Sequence, residues 1–193
     1  MSKDYSTLTK QEGNNIIQLD YNKEVMLKVI NKRPELGKTA VMKLMFILQQ
    51  SFDMRLGHTF NLYTYGPYSS SVTEDLENLI HAGLVEAGTY EYKNSLAYSL
   101  TSTEKCKTAF TPSTVSIEDD LKIDKVIKLF GDKTAKDLEL DSTKIYIKNQ
   151  YERNRWQESK QDIIENVHSI KPHFSTKEIQ DAYDGLNNIL YSE

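Results

Sequence analysis

Cysteine is almost missing from this chain of 193 residues: Cys106 stands alone, which excludes an internal disulfide and fits a reducing compartment. No apolar run approaches the roughly 20 residues that cross a bilayer, so no membrane span is expected. The opening MSKDYSTLTKQEG has neither an apolar core nor an Arg-rich amphipathic pattern. No export or transit signal is visible there, and a cytoplasmic address is expected. Positive charge is not in excess either, since 24 Lys and Arg against 28 Asp and Glu leave a formal net charge of −4. Such a chain has no global field to hold a polyanion. Catalytic signatures are also lacking: there is no Gly-x-Ser-x-Gly elbow and no Gly-rich phosphate loop. His168 and His173 flank Lys171-Pro172 without a Cys, Asp or Glu at ligand spacing, and His58 and His81 stand alone, which argues against a metal site. No His is placed by sequence to activate Cys106. The expectation is a protein with no catalytic residues, no cofactor and no metal, and therefore not an enzyme.

What is present is enough apolar residue, 38% against 27% charged, for one compact unit with a real core. Its most organised stretch runs from Phe60 to Leu84. Phe60, Leu62 and Thr64 alternate with Asn61, Tyr63 and Tyr65, the period-2 pattern of a strand. Gly66-Pro67 is expected to stop it, because proline has no N–H for a ladder. Ser71 with Glu74 has capping-box spacing, and Val72, Leu76, Leu79, Ile80 and Gly83 then share one helix face. Gly83 suits a left-handed C′ position with Leu84 folding back.

Residues 1–20 are polar and read as an arm. Helical stripes follow at Val25, Met26, Val29 and Ile30, and at Val41, Leu44, Met45, Leu48 and Phe52, with Lys43 and Gln49 off the second stripe. From Leu84 a strand runs to a polar tip at Lys93-Asn94 and returns through Leu96, Tyr98 and Leu100 as a hairpin. Thr101 with Glu104 has capping-box spacing and opens a short helix holding Cys106 and Phe110. Helix, helix, strand, helix, hairpin is the order of a winged-helix unit, expected over 21–111 with the first strand paired to the hairpin. Residues 112–193 read as helices packed on that unit: one through Ile117, Leu121, Val126, Ile127 and Phe130, one from Thr134 through Tyr146, a polar linker from Gln150 to Ser159, one around Ile163 to Val167, and one opened by a Ser175–Glu178 box. The fold class expected is α+β and mostly helical, a winged-helix-like N-terminal half with a small hairpin sheet, capped by a C-terminal helical extension.

The runs KLMFILQQSF, FNLYTYGPYSSSVTEDLENLIHAGLVE and YSLTSTEK, with the helices at Ala135–Leu140 and Phe174–Ala182, resemble the YwgA-like family and, more distantly, the Panacea family that includes SocA-like antitoxins. The Tyr-Gly-Pro-Tyr turn at 65–68 and the upstream Lys43-Leu44-Met45-Phe46 are its most specific parts. Tyr68 replaces the small residue that Panacea-type chains often carry after Gly-Pro, and no Gly follows the Thr101 motif, which favours the YwgA-like branch. The resemblance implies an antitoxin, a partner-binding adaptor or a regulator in toxin–antitoxin or phage-defence systems, with no established catalytic residues.

A winged helix raises duplex DNA as a partner, but the helix from Ser69 to His81 offers Glu74, Asp75 and Glu77 and neither Lys nor Arg. Base edges and phosphates are read by Arg, Lys, Asn and Gln, so carboxylates there oppose binding. Basic residues cluster elsewhere. Lys144, Lys148, Arg153 and Arg155 interleave with Tyr146, Tyr151 and Trp156, a mix suited to stacking on single strands or to a solvated helix end. A looser cluster runs from Lys28 to Lys43. Tyrosine is the distinctive residue: of twelve, Tyr63, Tyr65, Tyr68, Tyr90, Tyr92 and Tyr98 gather around the strand, turn and hairpin, where they suit either a core or an interface. The functional expectation is a non-enzymatic interaction regulator that binds a partner protein, such as a toxin or a phage or host protein, through Tyr63, Tyr65, Tyr68, Glu74, Asp75, Tyr90 and Tyr92. The alternative is a DNA-binding transcriptional regulator using Lys144, Lys148, Arg153, Arg155 and Trp156. No membrane partner is expected, and a homodimer is left open.

Overall fold

Most helices begin where the sequence supplies a cap. In the computed structural model, which describes residues 19–92, 95–106, 113–157 and 159–191, Asp20 accepts from the Lys23 N–H to open α1 (Tyr21–Lys32), and Thr134 and Ser159 form full capping boxes with Asp137 and Asp162. These open α5 (Ala135–Asn154) and α6 (Lys160–Ile170). The Ser175–Glu178 box forms as expected at the head of α7 (Thr176–Tyr191), with the Ser175 N–H donating to Glu178 Oε2 at 2.7 Å. Two other expected boxes do not form. Thr101 belongs to a strand, because its partner strand continues to Val85, and the helix expected through Phe110 lies outside the described residues. The third helix, α3 (Ser70–His81), is capped by Ser69 without a side-chain bond. Its C-terminus follows expectation: Gly83 takes φ +68° and Leu84 N–H reaches back to the Leu79 carbonyl at 3.0 Å.

Among the described residues the fold is mostly helical α+β, with seven helices and two antiparallel two-stranded sheets. Gly66-Pro67 does not end the first strand. It lies inside the return strand of a tight hairpin, β1 (Asn61–Tyr63) and β2 (Gly66–Tyr68), whose two-residue turn is Thr64-Tyr65. Pro67 is tolerated because a two-stranded hairpin always has an edge where no N–H is required. The expected pairing of this strand with the second hairpin is also not made. That hairpin, β3 (Val85–Tyr92) with β4 (Ser95–Ser102), is bordered instead by Leu36, whose carbonyl accepts from the Leu100 N–H at 2.9 Å. Its tip, Lys93-Asn94, lies outside the described residues.

One core joins α1, α2 (Lys38–Ser51) and α3 to α4 (Ile117–Phe130) and α5. The helices after residue 112 are therefore not all a cap, since Ile123, Val126, Phe130, Leu138 and Ile145 complete the same core as Val41, Leu44 and Leu48. In α4 the buried face is Ile123, Val126 and Phe130, so Ile117 and Leu121 turn outward, 84% and 63% exposed. A second core holds α6 and α7 against the outer side of α5 through Ile163, Val167, Phe174 and Ile179. The helix α5 itself runs on through the expected linker to Asn154 and stops at Arg155, which takes a left-handed φ of 54°.

Candidate functional site

The β1–β2 hairpin is fastened from beneath by two lysines that the helical stripes did not explain. Lys43, on the buried side of α2, donates from Nζ to the Pro67 carbonyl at 2.6 Å. Lys171, at the C-terminus of α6, donates to the carbonyls of Tyr63, at 3.2 Å, and Thr64. Its charge is met by Glu139 of α5 at 2.8 Å, with His173 Nε2 3.5 Å from the same carboxylate oxygen. Lys43, Lys171 and Glu139 are 2%, 1% and 7% exposed. Backbone carbonyls of the turn and of the return strand are thus met by ammonium groups. Gly66 permits the close approach: its φ is +87°, and a Cβ there would lie 3.2 Å from Thr143 Oγ1 and 3.3 Å from Ser142 Oγ of α5. The stretches Lys43–Phe46 and Tyr65–Tyr68 meet at the bond from Lys43 to Pro67.

The buried lysines are held against their preference. Burial first, then repulsion from Lys171, pushes Lys43 down to about 8, with Glu139 opposing. Burial likewise pushes Lys144 down to about 8 against the pull of Asp141, which lies 3.6 Å away. Between about pH 8 and the ordinary lysine value of 10.5 the folded chain has released protons that the unfolded chain still binds. Stability should therefore rise with pH through that window. Thermal melts from pH 7.5 to 10 should show Tm increasing, and Lys43→Met together with Lys144→Met should flatten the slope. A wild-type Tm that falls from pH 8 to 9.5 would contradict this assignment.

Above its clamp the hairpin forms the rim of a groove of about 580 Å3 between α2 and α3. Val41, Met42, Val72 and Leu76 line the floor, and Tyr63, Tyr65 and Tyr68 stand at the edge, 60%, 71% and 39% exposed. The rings of Tyr63 and Tyr68 meet edge to face at 5.6 Å, and the Tyr68 hydroxyl accepts from Thr73 Oγ1 at 3.2 Å. The structure therefore brings these three tyrosines together on one hairpin. Tyr90 and Tyr92 belong to β3, and their side chains lie outside the described set. Of the acidic trio, Glu74 and Glu77 face solvent, whereas Asp75 is 14% exposed and bound to Lys23 of α1 at 3.2 Å.

The triple serine has a different task from the expected box. Ser71 Oγ lies 2.8 Å from His58 Nδ1 and 2.9 Å from Ser69 Oγ, which fixes the head of α3 to the segment before β1. Asp75 is 3.8 Å from His58 Nε2, beyond a hydrogen bond, so no carboxylate orients the ring as a base. Burial holds this imidazole below its ordinary value, only partly countered by Asp75. Cys106 is buried with its thiol donating to the Leu84 carbonyl at 2.9 Å, and burial pushes it up, away from a nucleophile. Among the described residues no cluster of three His, Cys, Asp or Glu could hold a metal ion.

The basic residues expected for nucleic acid are dispersed. Lys144 is a correction: at 3% exposure it is bound to the Ala182 carbonyl and faces Asp141, because α5 is the buried central helix, so it cannot meet a phosphate. Lys148 faces Glu152 at 3.8 Å. Arg153, Arg155 and Trp156 remain exposed at the end of α5, with the Trp156 ring edge-on to Tyr151 at 5.5 Å. The cluster from Lys28 to Lys43 is largely neutralised, Lys28 and Lys32 on Asp120 and Arg33 on Asp132. No helix among the described residues is long and apolar enough to cross a membrane. No family model and no curated protein matches the chain.

Proposed function

We propose that the chain is a non-enzymatic interaction regulator of the antitoxin or adaptor kind, akin to the YwgA-like and Panacea families, that holds a segment of a partner protein in the groove under Tyr63, Tyr65 and Tyr68. The single observation that carries this reading is the set of three exposed tyrosines on a hairpin whose carbonyls are clamped by buried ammonium groups. A rigid aromatic rim loses little conformational entropy on binding, and Tyr is enriched among residues that dominate interface energetics. Two features weigh against duplex DNA as the partner. Glu74 and Glu77 are exposed on α3, and most of the candidate phosphate contacts are internal or ion-paired.

The experiment replaces Tyr65 by a photo-crosslinking phenylalanine analogue in cells, identifies the captured protein, and measures its purified affinity for wild type and for Tyr65→Ala/Tyr68→Ala. The double variant should bind about 30-fold more weakly or worse, while remaining folded with at most a small fall in Tm from the lost contacts of Tyr68 with Tyr63 and Thr73. Equal affinity would sink the groove as the site. For the DNA alternative, gel shifts with short duplexes should show no steeply salt-dependent complex, whereas a strong one would favour a transcriptional regulator.

A further inference from the structure

A second cavity differs from the groove in chemistry. It opens between the C-terminal half of α2, residues 58–60 and the last turns of α5, with a volume of about 210 Å3. That is below the roughly 300 Å3 where pockets for drug-sized ligands begin, so it suits one ring system and not a peptide. Three aromatic rings lie beneath a mostly polar lining. Phe46 is buried, with Phe60 edge-on to it at 5.0 Å and Tyr146 tilted against it at 6.3 Å, and both of these outer rings are half-buried beside the cavity. Its walls are amides, the His58 imidazole, Thr59 and one guanidinium: Gln50 Oε1 accepts from Asn149 Nδ2 and from the Arg153 guanidinium, each at 3.1 Å. This leaves the Gln50 amide N–H groups, the Asn149 carbonyl and most of the Arg153 donors to meet a guest, with Gln150 beside them. No carboxylate is among the lining residues.

That combination selects against several guests. An apolar molecule would strand the amides without partners, and a cation would meet Arg153. Uncharged amides match the mixed donor and acceptor edge of a heterocycle, as Asn and Gln do with adenine. Aromatic faces supply stacking, and a guanidinium is suited to bidentate phosphate contact. We propose that this cavity binds a nucleobase with its attached 5′-phosphate, the ring stacked against Phe60 and Tyr146, its edge read by Gln50, Asn149 and Gln150, and the phosphate on Arg153. The ligand is either a free mononucleotide or an unpaired base of a single strand. In the second case the exposed Arg155 and Trp156 receive the neighbouring nucleotide.

Titration calorimetry of the full chain with AMP, GMP, CMP and UMP, with inorganic phosphate, and with the eight-residue homopolymers of A and U tests this. At least one mononucleotide should bind one to one with a Kd of about 1 mM or tighter, inorganic phosphate alone should not, and Arg153→Gln should weaken binding about tenfold or more. Arg153 is exposed, so this variant keeps the fold, which an unchanged Tm checks. Gln150→Leu should alter the preference among the four bases. A homopolymer that binds more than about tenfold tighter than its own monomer identifies a single strand as the source, and equal or weaker binding identifies the free nucleotide. The proposal is overturned if no nucleotide or homopolymer binds, if inorganic phosphate binds as well as the nucleotides, or if Arg153→Gln binds like wild type.

Discussion

Replacing Glu139 by Ala should lower stability by about 3–5 kcal/mol, the usual consequence of leaving a buried charge without its partner. Two ammonium groups depend on this carboxylate. Lys171 lies 2.8 Å from it, and Lys43, already repelled by Lys171, is kept protonated partly by its field. Without Glu139 both cations stay buried beside the hairpin with only carbonyl oxygens for company. For a chain of this length each kcal/mol corresponds to about 2–4 °C, so Tm should fall by roughly 6–20 °C. Glu139→Leu with Lys171→Leu should recover most of the loss, because removing both charges also removes the cost of burying them. The measurement is chemical denaturation of the three proteins. A Glu139→Ala protein within about 1 kcal/mol of wild type would mean that the pair behaves like a surface ion pair and does not support the hairpin.

The second large effect concerns the turn itself. Gly66→Ala should cost about 2 kcal/mol or more, from two sources that add. An L-residue at φ +87° carries roughly 1–2 kcal/mol of strain. The new methyl must also displace Thr143 Oγ1 and Ser142 Oγ, at 3.2 and 3.3 Å, from a helix that is itself buried. The hairpin moves outward in response, the carbonyls of Thr64 and Pro67 drift from Lys171 and Lys43, and the tyrosine rim loses its fixed geometry. Gly57→Ala is the internal control: it has a comparable φ of +70° but open space around its Cβ position, so only the strain remains. Denaturation should separate the two variants by the contact cost, and partner affinity should fall for Gly66→Ala alone. Equal losses for both would show that α5 does not press on the turn.

Much of the framework was legible from periodicity and caps. The stripes at Val25–Ile30 and Val41–Leu48, the Gly83–Leu84 stop and the second hairpin all stand where apolar spacing put them. The gathering of Tyr63, Tyr65 and Tyr68 around the first strand and turn was also visible, though not whether they faced a core or an interface, and of the acidic trio expected to face outward Asp75 instead turns to Lys23. A helix from Thr134 was legible too, but the full length and the burial of α5 were not. Its buried positions include Glu139, Asp141, Ser142, Thr143 and Lys144, so hydrophobic patterning reads the most central helix as a polar one. Glu139 is met by Lys171 and Lys144 by the Ala182 carbonyl, partners far along the chain that a single sequence does not reveal, whereas Asp141 is held by the nearby Lys133 and Ser142 bonds back to the Glu139 carbonyl of its own turn. The same applies to Lys43 and Gln49. They lie off the apolar stripe of α2, yet one holds Pro67 and the other bonds to both backbone groups of His58. The Ser175–Glu178 box forms as its spacing indicates, whereas the Ser71 hydroxyl is engaged by His58 and Ser69 instead.

The most direct test is a hydrogen-exchange footprint of the chain with and without the protein captured at position 65. Slowed exchange should be confined to residues 38–43, 63–68 and 72–77, the segments that line the groove. A footprint on the end of α5, with the hairpin and the heads of α2 and α3 exchanging as freely as in the unbound chain, would contradict it.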